Sequence, residues 1–284
     1  MPLLLPESFS ASLQTQRGEH GRVARLTIPG ARWALLADTH LSANPNAEYD
    51  GQTTLPKVRE ALDQVAAARV DGVIVNGDLA WMEGLPEDYD QVAETFAPLA
   101  ETTPVALALG NHDRLDRALR KFHPDAFSLN EPAKLITVID ATEVRLILLD
   151  SLYRTDVVPG LLGQAQREWL RAFLDSEDKR PTAIVVHHPL TQDDGALLDG
   201  DRLLAILQPR SQVKAVFTAH DHVWRHEQRG RLHIVGLPAA GFSFVPASVP
   251  VGWVEADFSS HGVGLRLRAG GTPEELELEW RPEC

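Results

Sequence analysis

Five short apolar runs in this chain each end in aspartate, asparagine or histidine side chains. After the run from Val105 to Leu109 comes Gly110, and then Asn111, His112 and Asp113 follow with no spacer. A short apolar run bounded by turn residues is typical of a buried strand, and ligands bind at the carboxyl ends of strands in open α/β sheets. The other four runs deliver Asp38 and His40, Asp78, His187, and His220 and His222. We therefore expect a sheet whose strand ends present these side chains together.

Segments with apolar residues at helical spacing alternate with the apolar runs. The predicted helices are 54–69, 90–99, 114–122, 163–174 and 201–207. This alternation of strand and helix predicts an α/β layered fold. The pattern also predicts strands at 135–139, 144–149, 232–235, 252–258 and 263–267. The last three follow residue 222, and they indicate a second sheet or a sheet that closes against the first.

The two ends of the chain carry weaker patterns. We interpret residues 1–20 as an irregular arm and residues 23–26 as a first, edge strand. The acidic residues between Glu274 and Glu279 are most simply a solvated face of a polar tail. Because no internal repeat or linker interrupts the pattern, we expect one domain that covers residues 1–284.

Charge and composition exclude several classes of protein. The net charge of −13, from 40 acidic and 27 basic residues, disfavours duplex nucleic acid as a partner because the surface would repel phosphates. The single cysteine, Cys284, excludes an internal disulfide and a thiolate metal cluster. The sequence shows neither a signal peptide nor an apolar stretch long enough for a bilayer. We expect a cytoplasmic protein with no membrane partner, and the sequence leaves open whether it forms a homo-oligomer.

The donor groups at the five strand ends favour transition metals. Imidazole suits Zn, Fe and Mn, whereas carboxylate and amide oxygens suit harder ions, so a mixed set disfavours Ca²⁺. Seven candidate ligands are too many for one tetrahedral zinc, but they fit two ions about 3.5–4 Å apart with a shared carboxylate. In an extended segment residues i and i+2 point the same way, so we expect Asp38 and His40 to face one ion, and likewise His220 and His222.

Five motifs in this order resemble those of the calcineurin-like metallophosphoesterase superfamily. They are Asp38-Thr39-His40, Gly77-Asp78, Gly110-Asn111-His112-Asp113, His187-His188-Pro189 and Ala219-His220-Asp221-His222. Leu148-Leu149-Asp150-Ser151 and Gln166 add to the similarity, which covers about residues 32 to 240. Within the superfamily, the chain looks most like bacterial class III cyclic-nucleotide and glycerophosphodiester phosphodiesterases.

This resemblance implies a four-layer αββα sandwich and two divalent or trivalent transition-metal ions, Mn, Fe or Zn. The implied ligands are Asp38, His40 and His222 for the first ion, Asn111, His187 and His220 for the second, and Asp78 as the bridge. The chain departs from the family pattern at Ala219, where a glycine is usual, and at Leu190, where a second proline is usual. Neither departure removes a ligand.

A hypothesis for the mechanism follows from this metal pair and from His112, which the resemblance makes the histidine that contacts phosphate. A water held between the two cations loses a proton near neutral pH and attacks phosphorus in line with the leaving oxygen. His112 would contact the phosphate without binding metal, and it would protonate the leaving oxygen as a general acid. Asp113 would orient the His112 imidazole. We expect Asn111, His112 and His188 to contact substrate.

Some residues near the motifs keep alternative interpretations. His188 competes with His187 as a ligand, although the family pattern favours His187. Asp150 follows an apolar run, and we favour a hydrogen-bonding role for it. The aromatic residues Trp81, Tyr153 and Trp224 either line a pocket or pack in the core, and His226 and His233 are most simply surface or core histidines.

The leading hypothesis is a phosphodiesterase that acts on small phosphate esters. A phosphomonoesterase, of broad range or like the protein phosphatases, is the near alternative because the same metal pair serves both reactions. A nuclease is disfavoured by the net charge of −13. A scaffold that binds metal or phosphate without turnover is also disfavoured, since Asp78, Asn111 and His112 are all present.

We divide the predicted domain into three parts. Residues 1–30 form an N-terminal arm and edge strand, residues 31–240 the catalytic core, and residues 241–284 a C-terminal β segment with a tail.

Overall fold

The computed structural model describes residues 3–6, 14–18, 21–122, 134–245, 249–270 and 274–280. Within these residues the chain forms seventeen strands and five helices. The strands are β1 Leu3–Leu4, β2 Gln14–Gly18, β3 Gly21–Thr27, β4 Arg32–Leu36, β5 Glu48–Tyr49, β6 Gln52–Thr53, β7 Gly72–Val75, β8 Val105–Leu107, β9 Leu135–Asp140, β10 Arg145–Leu149, β11 Thr182–Val186, β12 Val213–Thr218, β13 Arg225–Arg229, β14 Leu232–Gly236, β15 Gly252–Phe258, β16 Gly262–Ala269 and β17 Glu275–Glu279. The helices are α1 Leu55–Ala68, α2 Pro86–Ala100, α3 Leu115–Phe122, α4 Gln164–Ser176 and α5 Gly200–Leu207.

Two sheets form the centre of the molecule. The first has the strand order β1-β8-β7-β4-β15-β16-β17, and the second has the order β13-β14-β12-β11-β10-β9-β3-β2. In the first sheet β4, β7 and β8 run parallel, and in the second β10, β11, β12 and β14 run parallel. Parallel neighbours align their carboxyl ends at one edge, so each sheet presents a row of strand ends to the connecting loops.

Three apolar clusters show how the layers pack. One lies between the two sheets and contains Trp33 and Val254 of the first sheet and Leu148 and Phe217 of the second. A second cluster joins the outer face of the first sheet to α1, α2 and α3. The third joins the outer face of the second sheet to α4 and α5. The order of layers is helix, sheet, sheet, helix, which confirms the expected αββα sandwich.

The helices follow the periodic pattern in the sequence. All five predicted helices are present, and their ends shift by four residues or fewer. Pro56 lies in the first turn of α1, where its missing amide proton costs no helical hydrogen bond. No helix among the described residues combines the length and the apolar composition that crossing a membrane requires.

The ends of the chain correct part of the sequence interpretation. Residues 1–20 are not wholly irregular, because β1 pairs with β8 and β2 pairs with β3. The segment 23–26 lies within β3, which is neither the first strand nor an edge, since β2 lies outside it. The acidic segment at the end of the chain forms β17 at the edge of the first sheet, and β13 was not predicted. The extent of the single domain stays a prediction, and Cys284 lies outside the described residues.

Candidate metal centre

The predicted metal ligands meet where strand ends of both sheets come together. Asp38, Asp78 and Asn111 follow the parallel strands β4, β7 and β8 of the first sheet. His187 directly follows β11, and His220 follows β12, in the second sheet. The His187 Nε2 atom lies 3.9 Å from Asp38 Oδ1 and 3.4 Å from Asp78 Oδ2. The face-to-face packing of the sheets therefore joins the two sets of side chains.

Asp38, His40 and His222 form one group of donors. Their donor atoms lie within 4.8 Å of one another, and all three side chains are buried. The His222 Nε2 atom is 3.4 Å from Asp38 Oδ1, and the rings of His40 and His222 are 5.4 Å apart. These are the three residues predicted to share the first ion.

Asp78 lies between this group and a second set of donors. Its Oδ2 atom is 3.7 Å from His40 Nε2 and 3.4 Å from His187 Nε2. The ring of His220 lies 5.3 Å from that of His187. Asn111 is the remaining predicted ligand of the second ion, and its buried Oδ1 atom has no hydrogen-bond partner in the protein. Asp78 therefore occupies the position that a shared carboxylate requires.

Several donor atoms in this centre are buried without a hydrogen-bond partner. They are Asp38 Oδ1, His40 Nδ1 and Nε2, Asn111 Oδ1, His187 Nε2, His188 Nε2 and His222 Nδ1. Buried polar atoms are normally paired, because leaving one unpaired costs about 1–3 kcal/mol. Cations would satisfy the carboxylate, amide and imidazole atoms among them, and this mixed donor set suits Mn, Fe or Zn. The residues present therefore fit the metal that the sequence predicts.

Several candidate ligands have a left-handed backbone conformation, which orients their side chains. Asp38, His40, Asp78, His220 and His222 have φ between 44° and 73°. Residues other than glycine occupy this region uncommonly, although Asp and His are enriched there, and such strain concentrates at functional sites. The predicted convergence of Asp38 with His40 is present, but the extended geometry predicted for it is wrong. Turns in the loops after β4 and β12 aim these side chains at the centre.

The charges of the centre are strongly coupled. Burial raises the pKa of the Asp78 carboxyl, but the neighbouring His187 outweighs burial and holds that pKa well below its usual range. Burial lowers the pKa of His187, and the Asp78 and Asp38 carboxylates outweigh it and raise that pKa to about 9. Burial lowers the pKa of His40 to about 3 against the charge of Asp78. His40 is therefore neutral and has a free lone pair, whereas His187 must release a proton when it binds a cation.

His187 and His188 differ in their neighbours. The His187 Nδ1 atom is 2.7 Å from the carbonyl of Asn76, so its Nε2 atom faces the carboxylates. The His188 Nδ1 atom is 2.7 Å from Ser151 Oγ, and the ring lies 4.9 Å from that of His220. His188 also belongs to a donor group with His187 and His220. The contact with Asp78 favours His187 as the ligand, while a substrate role for His188 stays a prediction.

His112 and Asp113 have different neighbours from those predicted. The His112 Nδ1 atom lies 2.8 Å from the Met82 carbonyl, and its backbone N–H donates to Asp78. The Asp113 carboxylate instead accepts hydrogen bonds from the backbone N–H groups of Leu79, Ala80 and Gly110 and from the Tyr89 hydroxyl. The prediction that Asp113 orients the His112 imidazole is therefore wrong.

Asp113 holds together the loops that carry the ligands. It is fully buried, and burial, followed by the nearby charge of Asp78, raises its pKa to about 6. The N–H groups that donate to its carboxylate belong to the two residues after Asp78 and the residue before Asn111. Asp113 is thus a positioning residue for these two ligands.

Glycine is required where two ligands pass close to the backbone. A Cβ atom on Gly110 would lie 2.2 Å from Asp78 Oδ1 and 2.7 Å from His187 Nε2. A Cβ atom on Gly77, which has φ +85°, would lie 2.4 Å from His187 Nδ1. Ala219 needs no such freedom, since its φ is not positive and its N–H bonds the carbonyl of His187. Alanine in place of the usual glycine is therefore compatible with the fold.

Sequence reasoning missed several residues around the centre. Asn76 donates to the carbonyl of Val186 and holds His187 through its own carbonyl. The ring of Phe242 lies 4.7 Å from those of both His40 and His222. The apolar run before Asn76 was visible in the sequence, but Phe242 has no local pattern that points to a site.

Of the other residues with alternative interpretations, some lie at the metal centre and some elsewhere in the fold. Trp81 meets His40 edge to face at 6.3 Å, so it lies at the centre. Trp224 packs against the core between the sheets. Asp150 accepts from the N–H groups of Leu135 and Leu152, which confirms its hydrogen-bonding role. His226 and His233 contact each other, with ring nitrogens 3.1 Å apart.

A layered αββα fold with buried aspartate and histidine donors at its strand ends is suited to metal-dependent hydrolysis. Comparison with known families agrees, since the model described as calcineurin-like phosphoesterase matches residues 31–224. The chain belongs to the calcineurin-like phosphoesterase family. The family and the buried clusters together indicate that the protein binds divalent metal.

Curated relatives of the chain include two kinds of phosphodiesterase. A probable cyclic nucleotide phosphodiesterase of Synechococcus sp. is 28% identical over 235 residues, which are 81% of this chain and 88% of that protein. The glycerophosphodiester phosphodiesterase GpdQ of Enterobacter lignolyticus is 28% identical over 215 residues, 72% of this chain and 76% of that protein. A solved dimetal phosphatase from Danio rerio has a TM-score of 0.67 at 16% identity, over 89% of this chain and all of that one, and it supports the fold.

Proposed function

We propose that this protein hydrolyses small phosphodiesters at a centre that holds two metal ions, Mn, Fe or Zn. The observation that carries the proposal is the set of buried, unpartnered donor atoms where the two sheets meet. The proposed ligands are Asp38, His40 and His222 for one ion, Asn111, His187 and His220 for the other, and Asp78 for both. When bound, such ions supply an activated water and offset charge on the phosphoryl oxygens.

His112 is the proposed proton donor. Its Nδ1 atom lies beside the Met82 carbonyl, and because a carbonyl only accepts, Nδ1 carries a proton there. Nε2 is then the ring atom that can hold or release a second proton. The charged form of His112 can therefore donate to a phosphoryl or leaving oxygen through Nε2, as general acids do. Asn111 and His188 are proposed to contact the substrate as well.

A diester substrate is favoured by the named activities of the relatives, which are cyclic nucleotide and glycerophosphodiester phosphodiesterases. A phosphomonoesterase is the second candidate, since the dimetal phosphatase from Danio rerio shares the fold. A scaffold without turnover is disfavoured, because the candidate donors and His112 are all present at one centre. The charge of −13 still disfavours a duplex nucleic acid substrate. A cytoplasmic location and the oligomeric state stay predictions.

The experiment combines metal analysis with a substrate panel on one purified sample. We expect about two ions per chain by elemental analysis after Mn²⁺ loading, and faster turnover of bis(p-nitrophenyl) phosphate than of p-nitrophenyl phosphate. His112→Asn should keep its metal and lose about 10²-fold or more in kcat. The matched control, His261→Asn, changes an exposed histidine and should keep both properties. A metal-loaded protein that turns over neither ester would contradict the proposal.

A further inference from the structure

Three aromatic side chains form a wall beside the candidate ligands His40 and His222. This aromatic wall consists of Tyr49, Phe242 and Phe244. The Phe244 ring stacks on His222 at 4.3 Å with 17° between the planes. The Tyr49 ring stacks on Phe242 at 4.3 Å and 20°, and it meets Phe244 edge to face at 5.7 Å and 80°. The wall therefore begins at the centre and extends away from it.

The wall has a buried base and an exposed rim. Phe242 is 1% exposed, whereas Tyr49 is 36% exposed and Phe244 is 51% exposed. Packing in the core does not account for the two outer rings. Exposed apolar rings that adjoin a catalytic centre are typical of a ligand-binding surface.

Hydrogen bonds fix the wall in place. Tyr49 belongs to the β5–β6 hairpin, and Asp50 and Gly51 take the two left-handed positions of its tight turn, with φ 48° and 72°. The Gln52 side chain donates to the carbonyl of Ser243 at 2.8 Å and accepts from its N–H at 3.2 Å. This pair joins segments 191 residues apart in the sequence. The rings are thus held in position before a ligand arrives, which lowers the entropy cost of binding.

We propose that the exposed rings of Tyr49 and Phe244 bind the nucleobase of a cyclic nucleotide while its phosphate lies at the metal centre. This inference rests on the proposed function and narrows its substrate class. Every base has a π-face that stacks on aromatic side chains, whereas a glycerol group has none. The wall itself carries no charged side chain, so it suits a neutral group rather than a second anion. We infer a preference for cyclic nucleotides over glycerophosphodiesters.

A quaternary ammonium group, as in glycerophosphocholine, also binds aromatic faces. The position of the wall disfavours that group here. Phe244 stacks directly on His222, a proposed ligand of a divalent cation, so a second positive charge on this ring would meet repulsion from that cation. A neutral base avoids this repulsion.

The test compares cyclic AMP with ribose 3′,5′-cyclic phosphate, which has the same ring diester and no base. Tyr49→Leu and Phe244→Leu remove each ring but keep apolar bulk. For each variant we expect the ratio of kcat/KM for cyclic AMP to kcat/KM for the abasic diester to fall about 5- to 100-fold, the range that one base stack gives. The ratio is the readout rather than the abasic rate itself, because Phe244 also packs on the proposed ligand His222. In calorimetry, AMP should lose affinity for both variants, whereas ribose 5-phosphate should not.

Phe173→Leu is the control, since it removes a partly exposed ring of α4 on the outer face of the second sheet. An unchanged ratio in both wall variants, or an equal drop in Phe173→Leu, would overturn the inference. A loss of glycerophosphocholine turnover with cyclic AMP unaffected would overturn it in favour of a cation. If the metal-loaded wild type hydrolysed no diester, the proposed function would fail instead, and the AMP binding data would still test the wall.

Discussion

Two clusters of buried polar side chains lie at opposite ends of the same strands of the second sheet. At the amino ends, Arg145 begins β10 beside Thr182 of β11, and its side chain pairs with Asp140 at 2.7 Å, Glu177 at 3.3 Å and Asp178 at 3.4 Å. At the carboxyl end, His187 follows β11 and faces the metal centre. Arg145 is 1% exposed, and each of the three nitrogen atoms of its guanidinium group contacts a different carboxylate.

The difference between the two clusters is whether their donors and acceptors are paired within the protein. In the Arg145 network each charge meets an opposite charge of the chain itself. In the metal centre, atoms such as Asp38 Oδ1 and Asn111 Oδ1 are equally buried but have no hydrogen-bond partner in the protein. Burial of charge alone therefore does not indicate function here. The unpaired atoms distinguish a cluster that binds a ligand from one that stabilises the fold.

The largest expected effect comes from Asp78→Asn, which keeps the size of the side chain and removes its charge. We expect the metal content to fall and kcat/KM for bis(p-nitrophenyl) phosphate to drop about 10³-fold, since the shared charge is lost. Glu277→Gln, at an exposed acid of β17, is the control. Full metal content and activity in Asp78→Asn would remove the distinction between the clusters.

A substitution in the Arg145 network should lower stability and leave metal binding unchanged. Arg145→Met removes one of the two guanidinium groups that bond Asp140 and Glu177, while Arg25 still contacts both, so the free energy of unfolding should fall by about 2 kcal/mol in urea denaturation. The folded variant should keep its metal and its kcat/KM, because no residue of the network reaches the centre. Arg171→Met, at an exposed position of α4, should change neither quantity. A loss of metal binding in folded Arg145→Met would show that the clusters are coupled.

A smaller effect on activity is expected from Gly110→Ala, which disturbs the contact between the sheets without removing a ligand. The new Cβ atom would lie 2.2 Å from Asp78 Oδ1, so the carboxylate or the loop must shift. We expect kcat to fall about 10²-fold, because displacements of this size misalign reacting groups. Gly270→Ala is the matched control, since nothing lies within 4 Å of its Cβ position. Equal activity in both variants would contradict the close packing of Asp78 and His187.

The sequence predicted the elements whose side chains repeat with a clear period, and it predicted the ligands because each follows such an element. The run before Asp78 and the run before His187 are apolar throughout, so their strands and their ends were visible. By contrast, β1 has two residues and β13 is mostly exposed, so their pairing partners define them rather than their composition. Local sequence carries little information about such strands.

The features of the site that the sequence did not predict depend on hydrogen bonds to backbone groups and on contacts between residues far apart in the chain. His112 bonds a carbonyl, a group that every residue possesses, so Met82 could not be identified from its side chain. Asp113 was assigned to its neighbour His112, whereas the fold brings Leu79 and Ala80 to its carboxylate. Tyr49 and Phe244 come together only through the packing of two loops. Such roles require the tertiary structure.

The smallest expected effect concerns pH and the Arg145 network. Burial raises the pKa of Asp140, but hydrogen bonds from Arg25 and Arg145 outweigh burial and lower that pKa below the usual 3.8. A depressed pKa contributes stability above the unfolded value, and this contribution disappears as pH falls through the folded value. Asp140→Asn should therefore be less stable than wild type at pH 7, and the difference should shrink below about pH 4. Urea midpoints of both proteins, metal-free, at pH 7, 4 and 3 measure it, with Asp201→Asn, an exposed carboxylate on α5, as the control. A constant difference across this range would mean that Asp140 acts through packing rather than through its charge.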